Sequence, residues 1–520
     1  MSLRLGIDVG GTNTDAVLLD GRDVVAATKS STTEDVTLGI LNALEVVLTD
    51  VDPAEVSSVF IGTTHFINAI AQARGLEQVA VVRLATPPQS LLPMLDWPDH
   101  LTGIVGEHFY VCPGGAQFDG AQMDDVDEVR LRGIAKQIAE AGIQHVALSG
   151  VFSTVNPEHE ELAATLLLEE LPDITVTRSA AVGRVGLLER ENATILNAAL
   201  RTLAGRVIDG LEQVVARAGI SAPILLSQND GTVMTLDRAR EYPIFTIASG
   251  PTNSMRGAAL LTGIDDAVVV DVGGTTCDIG LLQRGFPRES TVAMSLAGVR
   301  SNFRIPDVLS IALGGGTVIE ENGAVVGPAS VGFRITEEAK VFGGDILTFT
   351  DIAVAAGAES IGDPVLVADV SASVRDTALR IAAERVIEAV EKTKLTSTDT
   401  KVIVVGGGGP LLAVLPGLED VIIPAHAGVA NAVGAAYAEA GGEVDRVYNL
   451  AGTTRSEILT AAREEAIALA VKAGARAGDV RIVDAEDIPL THLGGGQAVR
   501  VRVKAAGPFH DFTTTDKEGR

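Results

Sequence analysis

A disulfide framework is excluded at once, because the 520 residues contain only two cysteines, Cys112 and Cys277, a usage that suits a reducing compartment. Basic residues are scarce: 40 lysines and arginines stand against 68 aspartates and glutamates, leaving a formal charge of −28. Such a field repels polyphosphate chains and anionic membranes, which argues against nucleic acid as a partner. No apolar run reaches the roughly 18 to 20 residues of a membrane span, and Arg4 and Asp8 interrupt the N-terminal residues before a signal-peptide core can form. The expectation is a soluble, cytoplasmic protein with no membrane partner. Aromatic residues are also sparse, at 3%, so the 46% hydrophobic content rests on Val, Ile, Leu and Ala. That composition fits packed α/β layers and rules out disorder for most of the chain.

What the chain does contain is an internal repeat. Leu5 to Asp15 reads LGIDVGGTNTD and Val269 to Asp278 reads VVDVGGTTCD, sharing the frame D-V-G-G-T-x-x-D. Each copy is followed by another apolar run, Ala16 to Leu19 and Ile279 to Leu282. Each unit therefore predicts strand, glycine turn, strand: a β-hairpin, not a strand feeding a helix. Rossmann and Walker turns open helices, and neither of their motifs fits here.

Paired glycines let backbone N–H groups converge on an anion, and the following threonines add hydroxyls. Gly10, Gly11, Thr12, Thr14 and Asp15 in one copy, with Gly273, Gly274, Thr275, Thr276 and Asp278 in the other, are thus candidates to clamp a polyphosphate from two sides. Asp8 and Asp271, which begin the turns, would repel phosphate but suit a Mg²⁺ ion; alternatively they orient a nucleophile. A third cluster, Gly406 to Gly409, follows an apolar strand and offers bare backbone to the adenosine side of a nucleotide.

Further strands are predicted at 56–61, 79–84, 145–149, 174–177, 224–227 and 402–405, and helices at 37–48, 126–141, 157–168 and 193–216. Their alternation argues for α/β layers. Residues 301–344 break it and predict a loop-rich insert, while 441–520 predict a small C-terminal α/β appendage.

Together these features resemble the superfamily of sugar kinases, Hsp70 and actin, and within it the hydantoinase A and 5-oxoprolinase family. The resemblance is carried by both hairpins, by Ile61 to Ile70 (IGTTHFINAI), Ser249 to Ser254 (SGPTNS) and Arg256 to Ala258 (RGA). Ile305 to Gly316 (IPDVLSIALGGG) and Pro424 to Gly434 (PAHAGVANAVG) complete it. It implies duplicated actin-like, ribonuclease H-like domains closing over ATP and Mg²⁺, with 1–185 as the N-terminal domain and 186–440 as the second. It further implies ATP-dependent opening of a small cyclic amide such as a hydantoin or 5-oxoproline, or, as in carboxylase relatives, activation of a ketone or bicarbonate. A homo-oligomer and a separately encoded second subunit are also implied. The chain is shorter than many family members, and 333–344 departs from their pattern, so substrate identity is not carried over.

Thr63, Thr64, His65 and Asn68 follow a strand and are candidates for substrate contact, with a capped loop histidine as the alternative. Cys277 reads as a small turn filler in the absence of an activating base. No histidine or cysteine pattern supports zinc. Two other functions share every phosphate motif: a small-molecule, sugar-type kinase, and a nucleotide-dependent regulatory subunit.

Overall fold

The computed structural model describes residues 3–10, 13–31, 36–86, 91–290, 292–358, 361–395, 400–418, 420–450, 452–490 and 498–509. Both repeats form the predicted hairpins. Leu3–Val9 pairs antiparallel with Asn13–Asp20, placing Asp8 opposite Asp15. Ala267–Val272 pairs with Cys277–Gln283, placing Asp271 opposite Asp278.

Strand alternation decides what each hairpin can carry. Leu3, Leu5, Ile7 and Val9 point to one face and pack under the helix Val36–Val47, which turns Gly6 and Asp8 the other way. In the second copy Val268, Val270 and Val272 pack under the helix Ala372–Thr393, turning Val269 and Asp271 inward. Each copy thus spends its odd-numbered or even-numbered apolar positions on an outer core and keeps a carboxylate on the inner face.

Between these inner faces lie two helices, Ser249–Thr262 and Ala430–Ala436. They cross at glycine: a Cβ on Gly257 would lie 1.8 Å from the Ala430 carbonyl oxygen, and one on Gly434 would lie 1.8 Å from that of Asn253. Gly6 is bare for the same reason, since a Cβ there would meet the Ala432 carbonyl at 2.1 Å. Close backbone approach is the reason for glycine at all three positions.

The first hairpin belongs to a nine-stranded sheet whose order is 481–489, 498–507, 439–449, 232–235, 224–227, 56–63, 3–9, 13–20, 23–31. Strands from 186–440 therefore pair with strands from 1–185. The C-terminal α/β appendage extends this sheet, with the helix Arg455–Lys472 packed against it. The second hairpin belongs to a five-stranded sheet, order 286–287, 277–283, 267–272, 402–405, with 308–311 pairing beside 277–280. The loop-rich insert thus supplies one strand to that sheet and a short hairpin of its own, Thr317–Glu320 with Val325–Ser330.

A third sheet is wholly parallel, in the order 108–112, 79–84, 145–150, 175–178. Ala80, Val82, Val146 and Leu148 pack beneath the helices Glu128–Glu140 and Glu158–Glu170. Val79, Val81 and Ala147 meet the long helix Leu187–Arg217. Burial on both faces is what an all-parallel sheet requires. Helix 187–217 begins six residues before its apolar periodicity predicts, because Glu191 is buried by an ion pair and Arg190 by hydrogen bonds to carbonyl groups, not by apolar packing. Arg83 Nε donates to Glu191 Oε1 at 2.9 Å, and Arg190 Nη2 donates to the Gly150 carbonyl at 2.6 Å. Among the described residues, no helix is long and apolar enough to cross a membrane.

Candidate functional site

The two glycine turns are closed alike. Gly10 N donates to the Asn13 carbonyl at 3.0 Å, and Gly273 N donates to the Thr276 carbonyl at 2.9 Å. Gly11 and Thr12 lie outside the described residues. Gly273, Gly274, Thr275 and Thr276 are exposed, while Thr14 is buried in its hairpin.

Asp8 and Asp271 come together. Burial pushes the Asp8 carboxyl up to about 6, aided by the neighbouring charge of Asp15. Burial likewise pushes Asp271 up to about 6, and both Asp278 and Asp8 add to that rise. Asn253 and Ser254, neighbours on the helix Ser249–Thr262, bond Asp8 and Asp271 respectively, which ties the two hairpins to one end of the same helix. Neutral donors hold both groups: Asn253 Nδ2 and Asn431 Nδ2 reach Asp8 Oδ1 and Oδ2 at 3.4 and 2.8 Å, and the Ser254 hydroxyl bonds Asp271. All three donors come from the crossing helices. Two largely buried carboxylates, oriented by neutral groups on neighbouring helix positions, form a donor set that fits Mg²⁺.

The third glycine run closes against the second hairpin. Gly408 N donates to the Val272 carbonyl at 2.8 Å, and Gly406 takes a φ of +88°. A Cβ on Gly406 would sit 2.3 Å from Asp271 Oδ1. Gly409 opens the short helix Gly409–Val414. Gly407 faces the first hairpin's sheet, where a Cβ would lie 4.0 Å from Lys29 Nζ. Lys29 itself holds Asp15, with Nζ 2.7 and 2.8 Å from its two carboxylate oxygens.

A fourth glycine run, Gly314 to Gly316, supports the second turn from behind. Gly315 N and Gly316 N donate to the Gly273 and Gly274 carbonyls at 3.1 and 2.7 Å. A Cβ on Gly314 would strike Thr275 N at 2.6 Å. These bonds hold the turn's carbonyl oxygens down. Asp278, across from Asp271, accepts from the Ser310 hydroxyl, which comes from the strand that the insert adds.

The threonine loop adjoins the first turn because strand 56–63 runs parallel to strand 3–9, with Thr63 beside Val9. Thr64 N and Oγ1 both donate to the Val9 carbonyl at 3.2 Å. Thr63 Oγ1 lies 2.7 Å from His65 Nδ1, and Asn68 Nδ2 lies 3.4 Å from Thr64 Oγ1. Burial lowers the His65 pKa, which favours the neutral imidazole. Gly62, at the end of the strand, leaves room for Asp8, whose Oδ1 would be 2.2 Å from a Cβ there.

Lys29, Asn253, Ser254, Asn431 and Gly314 to Gly316 received no role from sequence. Asn253, Ser254, Asn431 and the glycine run lie inside segments that carry the family resemblance. Lys29 had one available signal: it is the partner that Asp15 acquires when the chain turns back at Gly21.

Cys277 is fully buried, and burial raises its thiol well above the usual range, in keeping with a turn filler. Three carboxylates elsewhere, Asp230, Glu289 and Glu443, approach one another closely enough to suggest a metal. Cations already hold them, with Arg184 2.6 Å from Glu289, Arg304 3.0 Å from Asp230 and Arg502 3.1 Å from Glu443. The cluster is a charge-balanced network tying the C-terminal strands to the rest.

Comparisons with known proteins agree with this architecture. The hydantoinase/oxoprolinase N-terminal region matches residues 4–171, and the hydantoinase/oxoprolinase family matches 190–358 and 355–443. The chain belongs to the hydantoinase/oxoprolinase family. It is 30% identical over 392 residues to the caprolactamase subunit alpha of Pseudomonas jessenii, covering 68% of this chain and 54% of that one. It is 24% identical over 398 residues to the acetophenone carboxylase gamma subunit of Aromatoleum aromaticum, covering 68% and 53%. The chain thus spans about half the length of these two relatives. Among solved structures, the ATP-dependent caprolactamase from Pseudomonas jessenii superposes with a TM-score of 0.75 at 21% identity, covering 97% of this chain and 87% of that one. Nucleotide-free acetone carboxylase superposes with a TM-score of 0.66 at 19% identity, covering 98% and 89%. The chain shares the α/β fold of these two structures along nearly its whole length.

Proposed function

We propose that this chain is an ATP-dependent hydrolase that opens a small cyclic amide, acting as one subunit of a larger enzyme. The observation that carries the reading is the attachment of Asp8 and Asp271, one from each of two matching glycine hairpins, to the adjacent residues Asn253 and Ser254, beside a threonine loop locked onto the first hairpin. Relatives named as caprolactamase and carboxylase subunits support a second subunit, and the solved structures named for ATP-dependent caprolactamase and acetone carboxylation support the ATP dependence.

A lactam carbonyl is a poor electrophile. Attack of its oxygen on the terminal phosphorus of ATP, with cleavage of the bond to ADP, makes the ring carbon reactive. One water then adds to that carbon, the ring C–N bond breaks with the nitrogen leaving as an amine, and a second water releases inorganic phosphate from the acyl phosphate. The net products are an amino acid, ADP and phosphate. Such transfer needs positioning and charge neutralisation more than a protein nucleophile.

In this reading Gly10, Gly11 and Thr12 with Gly273 to Thr276 bind the phosphates from opposite sides, buried Thr14 supports the first turn from within, and Gly406 to Gly409 line the nucleoside end. Asp15 and Asp278 close the two turns. Mg²⁺ would be held by Asp8 and Asp271 and would supply charge neutralisation at the phosphates. Thr63, Thr64, His65 and Asn68 bind the cyclic amide, with neutral His65 serving as a hydrogen-bond partner to its carbonyl or ring nitrogen.

The test is ADP release against a panel of hydantoins and lactams, with and without the product of the adjacent gene, together with identification of the products. A ring-opened acid with free phosphate supports the proposal. A phosphorylated substrate that accumulates would reassign the chain as a kinase, and nucleotide binding without turnover would make it a regulatory subunit.

A further inference from the structure

Four carboxylates crowd the hairpin mouths: Asp8, Asp15, Asp271 and Asp278. A nucleotide triphosphate brings further negative charge into the same space. Among the described residues, Lys29 is a cation that holds Asp15 directly and lowers the pKa of the Asp8 and Asp271 carboxyls through space. It stands on the edge strand Asp23–Ser31 of the first half, yet its Nζ is 4.0 Å from where a Cβ of Gly407 would be, in the second half. Glycine at 407 keeps the space beside the ammonium open.

We infer that Lys29 is a nucleotide-binding residue, its ammonium reaching across the cleft from Asp15 to the polyphosphate and drawing the two halves together around it. The inference rests on the nucleotide reading above and adds a residue and a coupling to it. Three features support the role. The side chain is 35% exposed, so the ammonium that holds Asp15 is also reached from solvent, on a flexible stem. Its partner Asp15 is almost fully buried, so the pair sits at the boundary between protein and cleft. An ammonium is a point charge that can exchange one oxyanion for another without fixed geometry.

The experiment is calorimetric titration of the full chain with Mg-ATP and with adenosine, paired with small-angle scattering in the presence and absence of ATP. Lys29→Met is expected to weaken Mg-ATP binding about 10- to 100-fold while adenosine binds as before, and to abolish any ATP-induced compaction seen in the wild type. Lys29→Arg is expected to stay within about 10-fold of wild type, which separates loss of charge from loss of folding. Equal Mg-ATP affinity in Lys29→Met and a nucleotide-binding wild type would overturn this inference alone. A wild type that binds no nucleotide would overturn the nucleotide reading and this inference with it.

Discussion

Asn431 donates its side-chain amide to Asp8 Oδ2 at 2.8 Å across a separation of 423 residues. The bond stabilises the charged form of a carboxylate that burial has pushed up to about 6. Replacing Asn431 with alanine removes that support and raises the Asp8 pKa further. The acidic limb of the pH profile of ATP turnover should therefore move to higher pH, with most of the activity recovered at alkaline pH. A profile identical to wild type would show that Asp8 does not need to be ionised.

Asp271 should show a trade between stability and activity. Its pKa is raised from 3.8 to about 6 by burial, so the folded state binds a proton more tightly than the unfolded state does. The associated cost is absent below about pH 4, grows between about pH 4 and 6, and is complete above that. Asp271→Asn keeps the shape, and the Ser254 hydroxyl can rotate to suit an amide. The variant should gain on the order of 2 kcal/mol at neutral pH and lose ATP turnover. Thermal melts at neutral and mildly acidic pH check the first part: the gain over wild type should shrink as the pH falls.

The helix crossing predicts a sharp difference between glycines. Gly257→Ala places a methyl group against the Ala430 carbonyl, 1.8 Å away, and should destabilise by about 3 kcal/mol or more. Gly210→Ala, in the long helix with nothing within 4 Å, should stabilise by about 0.5 to 1 kcal/mol. Denaturant titrations of both variants provide the comparison.

The threonine loop should affect the cyclic amide and spare the nucleotide. Thr63 and His65 are hydrogen-bonded to each other at 2.7 Å. Substituting His65 with alanine should raise KM for the cyclic amide about 10-fold or more while ATP affinity measured by titration stays near wild type. A matching loss in ATP affinity would move the loop from substrate binding to support of the first turn.

The parts of this site legible in sequence are those the chain repeats. The frame shared by Asp8 and Asp271 announced two hairpins because a glycine pair between apolar runs has few other uses. What remained hidden depends on register and crossing. Asn253 and Asn431 are ordinary polar residues until two glycine contacts bring their helices between the sheets. Gly314 to Gly316 read as loop, because their use is to bond carbonyls of a turn some forty residues earlier. Strands 224–227 and 439–449 likewise carry no mark of the sheet they join, since pairing partners are set by topology and not by local pattern.

The bare crossing at Gly257 and Gly434 also limits how the molecule can move. With carbonyl and glycine in direct apposition at two points, sliding one helix along the other would drive backbone into backbone. Rocking about the crossing is the motion left open. The glycines then act as a fulcrum, and on the proposed function a tilt about it is the motion by which the hairpin tips would part to release spent nucleotide.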